Sequence, residues 1–169
     1  YNTAVGSGSL DANTTGRVNT AVGAATLTSN TTGDKNTAVG SSALESNTTA
    51  DANTAVGDAA LNGCTGHSNT ALGISAGKNL QDGNENSCFG VEAGHDLTTG
   101  GNNLLLGKHA GRSTSPSGQL TSHNNIVVLG NNSISDLYCA DTSISSSDSR
   151  DKTDIADFTK GLDWIKALR

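Results

Sequence analysis

A five-residue phrase, Asn-Thr-Ala-Val-Gly, returns along this chain at a nearly fixed interval, and that interval limits the fold more than any other feature. It stands at Asn2 to Gly6, Asn19 to Gly23, Asn36 to Gly40 and Asn53 to Gly57, then as Asn69-Thr70-Ala71-Leu72-Gly73. The closing glycines are spaced by 17, 17, 17 and 16 residues. Weaker copies, Asn86-Ser87-Cys88-Phe89-Gly90 and Asn103-Leu104-Leu105-Leu106-Gly107, keep the step of 17. Ile126-Val127-Val128-Leu129-Gly130 follows after 23. A unit this short cannot bury an apolar face alone, but stacked on its copies it can, which is the logic of a solenoid.

Each unit has two apolar points. The first, Thr-Ala-Val, is rich in β-formers and bounded by Asn and Gly, and reads as a short strand. The second lies four residues after the glycine, at Leu10, Leu27, Leu44 and Leu61, and becomes Ala76-Gly77, Ala93-Gly94 and Ala110-Gly111 later. Clusters such as Asn13-Thr14-Thr15-Gly16 mark turns, since Asn and Gly tolerate positive φ. The sequence therefore predicts an all-β chain: a parallel β-roll or β-helix solenoid of about 17-residue repeats, each of strand, tight turn, second short strand and loop. Gly and Thr are poor helix formers, and no 3.6-residue stripe precedes residue 150.

Alternation places Thr and Val on one face of the strand and Asn, Ala and Gly on the other. The column Val5, Val22, Val39, Val56, Leu72, Phe89, Leu106, Leu129 is apolar throughout, so it is expected inside the coil. The smaller column from Ala4 through Cys88 and Leu105 to Val128 is then left to be covered by another chain. The chain is only 33% hydrophobic and 3% aromatic, too little for a thick core. Two large apolar residues per coil offset only part of the entropy of ordering 17 residues, so a homo-oligomer is expected. A disordered chain would not hold its apolar residues in register.

The net charge of −6 argues against nucleic acid and anionic membrane surfaces. No apolar run approaches the roughly 18 residues of a membrane span. Tyr1 directly precedes a repeat, so the chain reads as cut from something longer. Cys64, Cys88 and Cys139 have no metal-like spacing; Cys88 replaces the alanine of the phrase and should be a buried thiol. His67, His95, His109 and His123 form no paired-ligand pattern, and no metal or cofactor is expected. The acids Asp11, Asp34, Glu45, Asp51 and Asp58 form no recurrent pair of the glycosidase kind, and no substrate-acting enzyme is expected.

After Gly130 the texture changes. Ile134 to Cys139 reads as an irregular strand or neck, and Ser143 to Ser149, with five serines, as a flexible joint. Ile155, Phe158, Leu162, Ile165 and Leu168 follow at spacings of 3, 4, 3 and 3, predicting a short C-terminal amphipathic helix.

Two stretches carry resemblances. Units such as Asn36 to Thr49 and Asn69 to Gly83 resemble the β-roll repeats of trimeric adhesin heads and of phage tail-fibre shafts. Ser147-Asp148-Ser149-Arg150-Asp151-Lys152-Thr153-Asp154-Ile155 resembles the opening Ser-Asp-x-Arg-x-Lys-x-x-Ile of the intramolecular chaperone domain of endosialidase-type tailspikes, and all five specified positions match. That domain is far longer than 23 residues, so only its beginning is matched. The resemblance implies a shaft at 1–130, a neck or linker at 131–146 and the start of the chaperone domain at 147–169. It further implies a homotrimer, a virion tail-fibre or extracellular location, and as partners other tail proteins and a glycan or protein receptor on the host surface. By family role Ser147 is the nucleophile that cuts after Ser146, and Lys152 is its base; a desolvated neutral lysine can take a serine proton. The alternative is a trimeric cell-surface adhesin, bacterial or eukaryotic, in which the sequons at Asn13, Asn30 and Asn47 would carry glycan. Ice binding by the column Thr3, Thr20, Thr37, Thr54, Thr70 is disfavoured if that column shares a buried face with the valines.

Overall fold

The computed structural model describes residues 1–136. The chain divides into two units, Tyr1–Ser135 and Asp136–Arg169, and the repeats lie in the first. Its eight strands are β1 (Thr3–Val5), β2 (Thr20–Val22), β3 (Thr37–Val39), β4 (Thr54–Val56), β5 (Thr70–Leu72), β6 (Ser87–Phe89), β7 (Leu104–Leu106) and β8 (Val127–Leu129). They form one parallel sheet in chain order. The register is that of the repeat: Ala21 faces Ala38, Ala38 faces Ala55, and Cys88 faces Leu105. At about 4.8 Å per step the sheet is about 34 Å long. The solenoid expected from the period is present, and no helix occurs among the described residues. The expected C-terminal helix lies outside them.

The coil is held at its corners by backbone geometry that the sequence hides. In seven coils the residue before the inward asparagine (or Ile126) is left-handed, from Val18 (φ 58°) through Asn102 (φ 55°) to Asn125 (φ 59°). Ala25, Ser42 and Ala59 are left-handed too, and so are Leu10, Leu27, Leu44 and Leu61 at φ 49–51°. No second strand forms at the leucine point. The chain alternates there between left-handed and other conformations, which turns it sharply while still passing backbone hydrogen bonds between coils, as in Leu27 N–H to Ala43 O (3.1 Å). The phrase ends in glycine for a separate reason: a Cβ on Gly73 would lie 2.6 Å from the Gly90 carbonyl oxygen of the next coil.

The facing of the strand is the reverse of the expectation. The alanine column is inside: Ala21, Ala38, Ala55, Ala71, Cys88 and Leu105 are fully buried. The valine column points outward, with Val5, Val39, Leu72, Leu106 and Leu129 exposed. The reason is space. Inside the coil the strand's inward residue packs among Leu27, Leu44, Leu61 and the second small column, Ala43, Ala60, Ala76, Ala93 and Ala110. A valine at every rung would overfill that gap.

Candidate interaction face

Two asparagine ladders fix how each coil sits on the next. Asn19, Asn36, Asn53, Asn69, Asn86 and Asn103 point inward and are buried. Each Oδ1 accepts the backbone N–H of the residue in the same slot of the next coil, as in Asn53 N–H to Asn36 Oδ1 (3.0 Å) and Asn69 N–H to Asn53 Oδ1 (2.9 Å), and the last, Asn103, accepts from Ile126 N–H (3.1 Å). Each Nδ2 donates to a carbonyl at the turn of the following coil, as in Asn53 to Gly66 O (2.8 Å). A second, shorter ladder runs Asn13, Asn30, Asn47, with Asn47 Nδ2 donating to Asn30 Oδ1 at 2.9 Å. It stops where Cys64 takes the column, which leaves Asn47 Oδ1 buried without a partner. Asn30 and Asn47 are fully buried, so a glycan on either is incompatible with the folded coil.

With the polar groups inside satisfied, the outer strand face is what the stack offers to a partner. Its two ranks are Thr3, Thr20, Thr37, Thr54, Thr70, Ser87, Leu104, Val127 and the valine column. Polarity falls along the stack: Thr-Val in β1 to β4, Thr-Leu in β5, Ser-Phe in β6, Leu-Leu in β7 and Val-Leu in β8. Strands three residues long make a strip roughly 34 Å by 10 Å. That matches the largest apolar patch of an ordinary monomer, about 300–600 Å². A stable contact needs about 800 Å² per partner, so association has to draw in the flanks. Ile74 and Val91, just past the phrase glycines, stand 53% and 41% exposed on one flank. On the other side a shallow groove of about 330 Å³ opens between Glu85, Asn102, Leu104, Ile126 and Val127. The threonine rank is half-buried and outward, not enclosed with a buried valine face.

Among the described residues, several chemistry-bearing side chains make structural contacts. Asp34 and Asp51 accept backbone N–H groups of the coil before them, from Arg17 (2.6 Å) and Asp34 (2.7 Å). His67 Nδ1 accepts from Asp51 N–H at 3.0 Å. These acids form a capping column and leave no carboxyl pair facing a cleft. Cys64 and Cys88 are free and buried. Burial pushes the Cys64 thiol up to about 11 and the Cys88 thiol up to about 12. A buried thiol at Cys88 is what the sequence predicted. One charged cluster is not legible in the sequence, because the contacts that join its two coils span 16 to 23 positions. In it Arg112 pairs with Glu92 and Asp96, His109 Nε2 meets Glu92 Oε2 at 3.2 Å, His95 Nδ1 meets Asp96 Oδ1 at 2.7 Å, and Gln119 donates to Asp96 Oδ2 at 3.1 Å. Burial alone would raise the Asp96 carboxyl; the hydrogen bond from His95 and the Arg112 charge outweigh it and hold it below its ordinary value.

No protein-family model, curated protein or solved structure matches the chain. Ser147 and Lys152, the residues singled out by resemblance, lie outside the described residues. Among the described residues no group of three or more His, Cys, Asp or Glu side chains is placed to hold a metal ion. No helix there is long and apolar enough to cross a membrane.

Proposed function

We propose that this chain is a structural segment of a homotrimeric fibre, of the viral tail-fibre kind, whose solenoid forms the shaft and presents or forms a host-attachment element. The observation that carries the reading is the outward apolar rank from Val5 to Leu129, repeated in every coil and flanked by Ile74 and Val91. Eight apolar rungs in one straight row form a surface that further copies of the same chain match rung for rung. The number three comes from the resemblance of the repeats to trimeric adhesin heads and tail-fibre shafts. The partners are then itself, neighbouring virion proteins and a receptor on the host surface. A trimeric cell-surface adhesin has the same shaft and differs in location. Self-cleavage after Ser146 by Ser147 and Lys152 belongs to this reading and requires the whole chaperone domain.

Sedimentation equilibrium tests the assembly: the mass should be three times the 17.0 kDa of the chain. Val39→Asp should give a folded monomer, because Val39 faces outward, whereas Ala38→Asp should unfold the coil. A wild-type chain that sediments as a monomer rules the reading out. The outward Thr-Val lattice also favours a second reading, ice binding, on the same face; thermal hysteresis without assembly would select it.

A further inference from the structure

The step between β7 and β8 is six residues longer than its predecessor, and the extra residues lie between Gly111 and Leu120. Both ends of this segment are tied to coil six: Arg112 pairs with Glu92 and Asp96, and Gln119 donates to Asp96. Its middle reaches the other way. Buried Ser115 donates its hydroxyl to Gly130 O at 3.1 Å, and Asn132 N–H donates to Thr114 O at 2.8 Å. One loop therefore joins coil six to the residues just past β8.

The same spot differs in a second way. The phrase glycines of β1 to β6 have φ between 128° and 139°, and the Cβ position of each is closed by the glycine backbone of the following coil. Gly130 has φ 68°, and its Cβ position is filled by the Ile134 side chain. Ile134 sits where a ninth coil's backbone would be. Asn131 holds the reversal, with Ser133 N–H donating to its Oδ1 (3.0 Å) and Ile134 N–H to its carbonyl (3.1 Å).

We infer that the strap Arg112–Gln119, together with Ile134, is a terminal cap that replaces a ninth coil and closes the stack at β8. A solenoid end otherwise presents apolar core and unpaired strand edge, which is why such ends need capping and why bare edges recruit further strands. Here Leu120 and Val128 are the last core residues, 3% and 6% exposed; Leu120 closes the strap, its N–H donating to Gly111 O at 2.9 Å, and Ile134, 53% exposed, lies over Gly130, two residues past Val128.

Deleting residues 113–118 restores the two-residue spacing that separates Gly94 from Leu97, so the coil itself can still close. Residue-resolved hydrogen exchange on the full chain reads the result at the Gly130 amide, whose bond is to Leu106 O and not to the strap. Exchange at Gly130 should quicken at least tenfold while the β2 to β5 amides keep their protection. If the deletion abolishes folding, Ser115→Ala and Ile134→Ala decide instead, each expected to speed Gly130 exchange several-fold. Gly130 exchange unchanged in the folded variants would overturn the cap.

Discussion

Asn53→Ala is the sharpest test of what holds the coils together. The Asn53 side chain is fully buried and serves two groups in the next coil: its Oδ1 accepts Asn69 N–H and its Nδ2 donates to Gly66 O. Alanine orphans the Asn69 N–H and leaves Gly66 O only the weak Cys64 thiol donor at 3.4 Å, and both groups stay buried because the coils above and below hold the backbone in place. At about 1–3 kcal/mol for the unsatisfied amide, and about 1 kcal/mol for a carbonyl left with a weaker donor, the loss should be about 2–4 kcal/mol, before counting the space left by the side chain. That is a large share of the 5–15 kcal/mol typical of a whole domain. Asn53→Asp should be worse, since it keeps the acceptor for Asn69 and turns a carboxylate oxygen toward the Gly66 carbonyl. Stacked repeats need not unfold all at once, so urea denaturation is to be paired with hydrogen exchange at the Asn69 amide. Thr15→Ala, at an exposed turn position, is the control and should stay within about 0.5 kcal/mol of wild type. If Asn53→Ala costs less than about 1 kcal/mol and Asn69 remains protected, the ladder is not what holds the register.

Val18 is a β-branched residue at φ 58° and is 55% exposed, so Val18→Asn, the residue found in the same slot at Asn102 and Asn125, should raise stability by about 1 kcal/mol in urea unfolding. Cys64 and Cys88 titrate higher folded than unfolded; their contribution is complete below pH 9 and is lost as pH rises through about 11 and 12, each thiol giving a slope of up to about 1.4 kcal/mol per pH unit. In a Cys139→Ala background the two thiols should resist a thiol reagent at pH 8 until denaturant is added; immediate labelling would contradict their burial. Asp96 is shifted the other way, so its contribution is present above its unfolded value of 3.8 and disappears as pH falls through the lower folded value. The stability gap between wild type and Asp96→Asn should therefore narrow as pH falls below about 3.8, and a gap that does not narrow in acid would show that Asp96 acts by shape alone.

The period made the parallel stack, the strand at Thr-Ala-Val and the turns at Asn-Thr-Thr-Gly readable, because each depends on residues local to one coil. The conformation of the leucine corner was not readable in that way. Leucine at φ 50° goes against its own preference and is imposed by the coils on either side, so Leu27 looked like part of a strand. The asparagine of the phrase looked like a strand boundary and is instead the inward hydrogen-bonding column. Of the candidate face, the residues were visible but their direction was not: a column that is apolar in every coil suits an interior or an exterior ladder equally well. The strap and its charged cluster could not be read locally, since Glu92 and Asp96 meet Arg112 and Gln119 only once two successive coils are stacked.

The direction of the strand was nonetheless encoded, in the way two columns change together. From β1 to β4 the strand centre is Ala and the corner is Leu: Ala21 with Leu27, Ala38 with Leu44, Ala55 with Leu61. The corner shrinks first, to Gly77 in the coil of Ala71, and stays small at Gly94 and Gly111, while from Cys88 onward the strand centre grows, to Leu105 and Val128. Asn47 meanwhile gives way to Cys64, Leu80 and Leu97, which are buried. Two columns that trade volume in this way share one space. A Cβ on Gly94 would lie 2.5 Å from Cys88 Sγ, and one on Gly111 would strike Leu105 Cδ2. The valine column also grows, from Val56 to Leu72 and Phe89, as the corner shrinks, but none of the close approaches at Gly77, Gly94 or Gly111 is to that column. An interior position is constrained by its neighbours' volume, whereas an exterior one can enlarge freely until something docks on it. By that criterion the alanines belong inside and the valines outside, and the outer rank that becomes more apolar toward β8 is the face free to meet another copy.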